Sequence, residues 1–314
     1  MKEPLIILTG PTAAGKTKLS IALAKAVGGE IISADSMQVY RHMDIGSAKI
    51  SQEEMGGIPH YLVDVLEPFE AFHVVRFQQM AKAAMEEIRS RGHIPILVGG
   101  TGFYIQAIVG DVDFTDNETS PVRRELEQRA AEQGSCVLYE ELKKVDPESA
   151  AIIHENNVKR VIRALEFYRL TGKKISKHNE EQKEKESPYN FAYFVLNEER
   201  QKLYERIDRR VDEMIEAGLL REVTLLKEMG CKRGMVSMQG LGYKEILAYL
   251  DGECSFLEAV DILKRDTRHF AKRQLTWFRR EKDVIWLNKE DYEYKEERIL
   301  AAMLERLKEK GIIG

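Results

Sequence analysis

In a chain of 314 residues, 48 Lys and Arg set against 52 Asp and Glu leave a net charge of -4, so bulk electrostatics give no pull toward nucleic acid and any such partner must be met by a local patch. The length suits one large core carrying an inserted lobe. Three widely separated cysteines with no CxxC pair argue against a disulfide framework or a zinc finger and fit a reducing cytoplasm, and seven scattered histidines suggest no metal site.

The apolar run Leu5–Leu8 is too short for a signal peptide or a membrane span and reads as a buried strand. A helix predicted from Thr17 to Val27 follows, with Leu19, Leu23 and Val27 on one face and Gly28-Gly29 at its end. Further strands are predicted at Glu30–Ser33, Tyr61–Val65, Ile94–Val98 and Phe191–Leu196, with helical stretches between most of them, and this alternation implies a parallel α/β sheet. From 115 to 187 the strands disappear and helical periodicity persists, so a helical insertion domain is expected inside a core of 1–114 and 188–314. Within the insertion Val158, Val161, Ile162 and Leu165 form an apolar stripe, with Lys159, Arg160 and Arg163 lying off it. The remainder reads as helical through Arg280, then a final strand at Val284–Leu287 and a polar C-terminal helix.

The residues Gly10, Pro11, Thr12, Ala13, Ala14, Gly15, Lys16 and Thr17 complete a GxxxxGK[ST] pattern between the first strand and the first helix. Backbone N–H groups of such a loop surround phosphate oxygens, Lys16 supplies a point charge, and the Thr17 hydroxyl can ligate Mg²⁺. A turn serving only as a connector has no need of the Lys-Thr pair. The loop leaves open which phosphate it holds, because Ile94–Val98 ends in Gly99-Gly100-Thr101 and not in the Asp that an NTPase uses for its metal, so a diphosphate substrate is open. Asp35 follows the second strand at the carboxyl edge of the sheet, where open α/β sheets bind ligands, although an Asp there can equally serve as a cap.

The blocks GPTAAGKT, ISADSMQVYRHMDIGSAK, ILVGGTGFY, RALEFYRLTGK and AKRQLTWFRR, in this order from Leu5 to about Arg280, resemble the tRNA dimethylallyltransferase (isopentenyltransferase) family. The first block is shared by many nucleotide binders; the second and last are specific. The resemblance implies an α/β fold with a P-loop NTPase-like core, a helical insertion and a helical C-terminal region. It implies transfer of a dimethylallyl group from dimethylallyl diphosphate to N6 of the adenosine 3′ of a tRNA anticodon. In that chemistry the cradle and Mg²⁺ hold the leaving diphosphate. Asp35 is then the general base, and Thr101 orients the amine, although Thr101 could also cap the Gly99-Gly100 turn.

The family pattern further places Ser36, Met37 and Gln38 at the anticodon-loop base, with Gln38 able to pair an adenine edge or to serve as a buried structural amide. It places Arg123, Lys159, Arg160, Arg163, Gln239, Gly240, Gly242, Lys272, Arg273, Gln274, Trp277 and Arg279 at the RNA. Independently, Lys264–Lys282 holds eight basic residues against Asp266 and Glu281, a local net charge of +6. The aromatics within it, Phe270, Trp277 and Phe278, have helical spacing that favours core for Phe270 and leaves Trp277 open. Ser237–Tyr243 reads either as an RNA contact loop or as a tight turn between helices. A small-molecule P-loop kinase, an adenylate isopentenyltransferase and a nucleotide-gated RNA-binding module are the competing readings; none accounts for both the acid at Asp35 and the basic segment. The expected partners are the tRNA anticodon stem-loop and dimethylallyl diphosphate, with no membrane, and the expected state is a cytoplasmic monomer.

Overall fold

The structure, a computed structural model, describes residues 2–114 and 120–314. It contains one parallel sheet of six strands in the order β3-β2-β4-β1-β5-β6: β1 Glu3–Thr9, β2 Gly29–Ser33, β3 His60–Tyr61, β4 Ile94–Gly99, β5 Tyr189–Asn197 and β6 Val284–Asn288. The central strand β1 pairs with β4 through Ile6 and Ile96 and with β5 through Ile7 and Tyr193. Its buried run Leu5–Thr9 is apolar almost throughout because both faces of a parallel sheet are covered. The chain crosses from β4 to β5 over β1, so the strand order reverses at the carboxyl end of β1, the place where a ligand crevice forms.

The predicted strand Tyr61–Val65 is the one that departs. Only His60–Tyr61 joins β2; Leu62 and Asp64 take left-handed φ values of 62° and 55°, and the chain turns away. Asp64 and Val65 then donate their amides to the carbonyls of Gln38 and Val39, so this stretch braces the segment that follows β2.

Around the sheet lie α1 Lys16–Val27, α2 Gln52–Met55, α3 Val74–Ser90 and α4 Gly102–Val109. Helix α1 ends at Gly28, whose left-handed φ of 61° needs a residue without Cβ. A separate unit, Gly110–Ser187, holds α5 Pro121–Gln133, α6 Ser135–Val145, α7 Pro147–Ile152, α8 Val158–Thr171 and α9 Ile175–Glu184. It has its own core of Leu126, Leu138, Leu142, Val161, Ile162 and Leu165. Asp146 ties that core together by accepting from Ser149 and Ser176 through both their amides and their hydroxyls. The start expected for this insertion, residue 115, lies outside the described residues.

The other unit, Met1–Val109 with Pro188–Gly314, continues with α10 Arg200–Glu216, α11 Leu219–Glu228, α12 Tyr243–Leu250, α13 Phe256–Phe278 and α14 Glu296–Glu309. One face of its sheet is closed by α1 and α14, where Leu19, Leu23, Met303 and Leu307 pack on Ile6, Leu8, Ile96 and Phe194. Among the described residues no helix is long and apolar enough to cross a membrane. Because Leu23 is fully buried in that layer, Leu23→Ala should cost about 2–5 kcal/mol, seen as a lower urea midpoint at unchanged slope.

Candidate active site at the carboxyl edge of the sheet

Beyond Thr9 the chain enters the phosphate loop. Gly10, at φ 148°, lies against β5 so closely that a Cβ would meet the Leu196 carbonyl, and Gly15, at φ 90°, turns the chain into α1. Ala13 holds a left-handed φ of 62° without being glycine, local strain that the surrounding fold must sustain. Lys16 opens α1, and its ammonium donates to the carbonyls of Gly10 at 3.0 Å and Pro11 at 2.8 Å. Burial pulls the Lys16 ammonium down to about 7; the Arg210 guanidinium pushes the same way, Asp35 opposes it, and Lys289 adds to the depression.

These neighbours show what the loop pattern did not reveal. Arg206 and Arg210 stand about one turn apart on α10, beside the stripe of Leu203, Ile207 and Val211 that the same helix buries. Burial also lowers Arg210, with Asp35 opposing. Arg206 pairs with the buried Glu198 at 3.1 Å, and a Cβ at Gly15 would lie 3.2 Å from Lys289 Nζ and 3.4 Å from Arg206 Nη2. Lys289 follows β6, and burial depresses its ammonium while Glu198 resists. The available sequence signal was the four-residue spacing of Arg206 and Arg210 on an amphipathic helix; nothing local marked Glu198 or Lys289.

Asp35 and Thr101 leave adjacent strands. The Ala34 amide donates to Val98 and the Thr101 amide donates back to Ala34, which brings the end of β2 beside the turn after β4. One carboxylate oxygen of Asp35, Oδ1, accepts the amides of Met37 at 2.8 Å and Gln38 at 3.4 Å. No helix follows Asp35 directly, so Oδ1 closes a local turn and is not a helix cap, while Oδ2 has no hydrogen-bond partner among the described residues. Thr101 opens α4, its carbonyl accepting from Tyr104 and Ile105.

Several residues expected at RNA spend their polar groups on the protein. Gln274 accepts the Thr12 amide at 2.8 Å and donates to the Gly100 carbonyl at 2.9 Å, joining the phosphate loop to the turn before Thr101. Gln38 accepts from Ser33 at 3.1 Å and donates to Ala48 at 3.4 Å, the structural-amide reading. Arg123 pairs with the buried Glu166 at 3.0 Å inside the helical unit. The Trp277 ring packs on Gly102 and meets Phe103 edge-on at 6.3 Å, so it anchors α13. Phe270 is half-buried beneath the Arg273 guanidinium. Ser36 is half-buried, and Met37 lies against Gly240, where a Cβ would be 2.7 Å from its sulfur. The Gln239 amide donates to the Arg233 carbonyl, and Gly242 takes φ 90° in the turn into α12.

The basic segment narrows in the same way. Lys264 pairs with Asp212 at 2.6 Å and Arg268 with Asp208, which fasten α13 to α10. Lys272, Arg273, Arg279 and Arg280 are exposed and form no ion pair among the described residues. On the separate helical unit Lys159, Arg160 and Arg163 are exposed on α8.

A model of the IPP transferase family matches residues 38–281. The chain belongs to the IPP transferase family. That match starts beyond the phosphate loop, so membership does not lean on a motif that other nucleotide binders share. A tRNA dimethylallyltransferase of Lachnoclostridium phytofermentans is 64% identical over 312 residues, covering 99% of each chain. One of Acetivibrio thermocellus is 51% identical over 295 residues, covering 94% of each. Among solved structures, the tRNA isopentenylpyrophosphate transferase of Bacillus halodurans superposes with a TM-score of 0.74 at 46% identity, over 99% of this chain and 98% of its own. A eukaryotic dimethylallyltransferase acting on tRNA reaches 0.80 at 33% identity, over 91% of this chain and 74% of that one. The parallel sheet and its loop are thus the P-loop NTPase-like core of an IPP transferase.

IPP transferases need a divalent cation. Among the described residues no three His, Cys, Asp or Glu side chains gather to hold a metal alone. The residues fit a cation that shares a phosphate ligand: the Thr17 hydroxyl at the start of α1 is one oxygen donor, and a small hard cation takes the rest from phosphate and water.

Lys16 gives the site a pH signature. An ammonium at about 7 is mostly neutral at pH 8, and a diphosphate binds its charged form, so complex formation takes up a proton there and affinity falls as pH rises through 7. Calorimetry with inorganic diphosphate in buffers of different ionisation enthalpy should show greater proton uptake for the native chain than for Lys16→Met, the ligand's own protons cancelling in the comparison. Equal uptake would remove Lys16 from the phosphate site.

Proposed function

We propose that this protein transfers the dimethylallyl group of dimethylallyl diphosphate to N6 of the adenosine 3′-adjacent to the anticodon in tRNA, releasing diphosphate, with Mg²⁺ as the divalent cation. The observation that carries the reading is that Asp35, beyond β2, lies close enough to Lys16 and Arg210 for their charges to attract: an acceptor for a proton near a site for a leaving anion. Family membership and the names of the full-length relatives support the choice of tRNA as acceptor.

In this mechanism the bond between C1 of the allyl group and its diphosphate oxygen breaks, and its electron pair leaves with the diphosphate. The phosphate-loop amides, Lys16 and Arg210 hold that developing charge where little water competes. The Thr17 hydroxyl would help to hold a Mg²⁺, which when bound would supply further positive charge to the leaving diphosphate. The adenine N6 lone pair is delocalised into its ring and becomes nucleophilic as a proton is withdrawn, so N6 forms its bond to C1 while Asp35 Oδ2 takes the proton. Thr101 at the adjacent strand end orients the amine. The base is turned out of the anticodon stack to reach this point, while Lys272, Arg273 and Arg279 hold phosphates of the loop from the exposed side of α13. On the helical unit Lys159, Arg160 and Arg163 add phosphate contacts. Every group used comes from one chain, so a monomer suffices, and the substrate places the enzyme in the cytoplasm.

Mass spectrometry of unmodified tRNA incubated with the protein, Mg²⁺ and dimethylallyl diphosphate should show a dimethylallyl gain on one anticodon-loop adenosine. Gain on free AMP alone, or turnover of ATP alone, would overturn the proposal. Asp35→Ala should abolish transfer while tRNA affinity stays within a few-fold; unchanged turnover would remove Asp35 from the mechanism. Replacing Lys272 and Arg273 with Ala should weaken tRNA binding and flatten its dependence on log salt by roughly 0.7–0.9 per lost phosphate contact. An unchanged slope would show that neither meets phosphate.

A further inference from the structure

The segment from Asp35 to Lys49 carries the catalytic acid and the residues nearest to it, yet it forms no strand or helix, and His42 and Ala48 sit at left-handed φ values of 65° and 45°. Such a segment has to be held from outside. Three successive amides converge on one carboxylate, that of Glu222 in the first turn of α11. Asp44 and Ile45 donate to Oε2 at 2.9 and 2.7 Å, and Gly46 donates to Oε1 at 3.1 Å. The Tyr243 hydroxyl donates to the same Oε1 at 2.8 Å and accepts the Ser47 amide at 3.1 Å. The Tyr243 ring, fully buried, lies flush on Gly46, where a Cβ would be 2.6 Å from Cζ.

Consecutive backbone N–H groups in a turn make an anion-binding concavity, and here the anion is a side chain of the same protein. The grip reaches the acid end of the segment, since Gln38 donates to Ala48 and Met37 lies on Gly240 between α11 and α12. Among the described residues no hydrogen bond of Glu222 or Tyr243 reaches the phosphate loop.

We propose that Glu222 is a positioning residue for the transfer: its carboxylate fixes the Asp35–Lys49 segment against α11 and α12 and so sets where the acceptor base meets Asp35. This rests on the proposed function. A glutamine in its place keeps one oxygen and turns an N–H₂ group toward backbone donors, so at least one of the three amides loses its acceptor.

The test uses the full chain with Glu222→Gln and Tyr243→Phe, the latter keeping the ring on Gly46 while cutting the relay from Ser47. Hydrogen exchange at Asp44–Ser47, transfer kinetics on unmodified tRNA, and calorimetric binding of dimethylallyl diphosphate are measured together. For Glu222→Gln the segment's amides should exchange faster and kcat should fall by about tenfold or more, with diphosphate and tRNA affinities within roughly threefold of native. Tyr243→Phe should shift the same readouts in the same direction by less, and it decides the matter if the glutamine variant does not fold. Faster exchange with unchanged kcat would leave Glu222 a structural cap only. Unchanged exchange, or parallel losses of both affinities, would overturn the proposal as well. Absence of transfer by the native chain would instead be the failure of the proposed function, and the exchange data would still report whether Glu222 holds the segment.

Discussion

Lys16, Arg210 and Lys289 bring positive charge to the end of β1, where burial already disfavours it, and Asp35 and Glu198 return only part of the balance. Like charges removed from water repel, and each is driven toward its neutral form. A fold keeps such a cluster only if an anion completes it or if the surrounding packing over-determines it. Here the packing does so: β1 is flanked on both sides, α1 packs with α14, and Arg206 and Arg210 are carried on a helix whose adjoining stripe is core. Asp35 is a counter-charge of the cluster and closes its own turn, and in the proposed reaction it accepts a proton. The proposed role is compatible with the turn because they use different atoms: Oδ1 is committed to the amides of Met37 and Gln38, and Oδ2 has no hydrogen-bond partner among the described residues.

The two halves of that chemistry are joined by side-chain amides. Gln274 ties the Thr12 amide to the Gly100 carbonyl, so one side chain joins the phosphate loop to the turn before Thr101. Gln38 does the same on the acceptor side, between Ser33 at the end of β2 and Ala48. A nearly buried amide with both ends paired is rigid, and rigidity at this distance from the reacting atoms maintains the alignment on which an effective intramolecular reaction depends.

Much of the fold was legible from periodicity because a parallel sheet writes its buried strands as short apolar runs, and five of the six expected strands form within a residue or two of their predicted bounds. Tyr61–Val65 misled because its composition is that of a strand while its backbone bends at Leu62 and Asp64, a preference set by the partner segment at Gln38–Val39 and not by local sequence. The phosphate loop was legible because its function lies in a contiguous backbone shape. Arg206, Arg210, Lys289 and Glu222 were not, because each reaches across more than a hundred residues of sequence to a loop it does not adjoin, and Glu198 enters only as the partner of Arg206 and Lys289. Composition also overstated the basic patch: Lys264 and Arg268 are fastening bolts to Asp212 and Asp208, a distinction that only the neighbouring helix makes.

Helix α13 shows Lys272 and Arg273 to solvent and turns the next residue, Gln274, inward to the phosphate loop, with Trp277 and Phe278 seated behind it. Adding or deleting one residue upstream would swing every later side chain by about 100° around the helix axis. It would unseat the loop and the outer charges in a single stroke. The spacing along this helix is therefore fixed by the loop that Gln274 holds, and its length upstream of Gln274 is not free to drift.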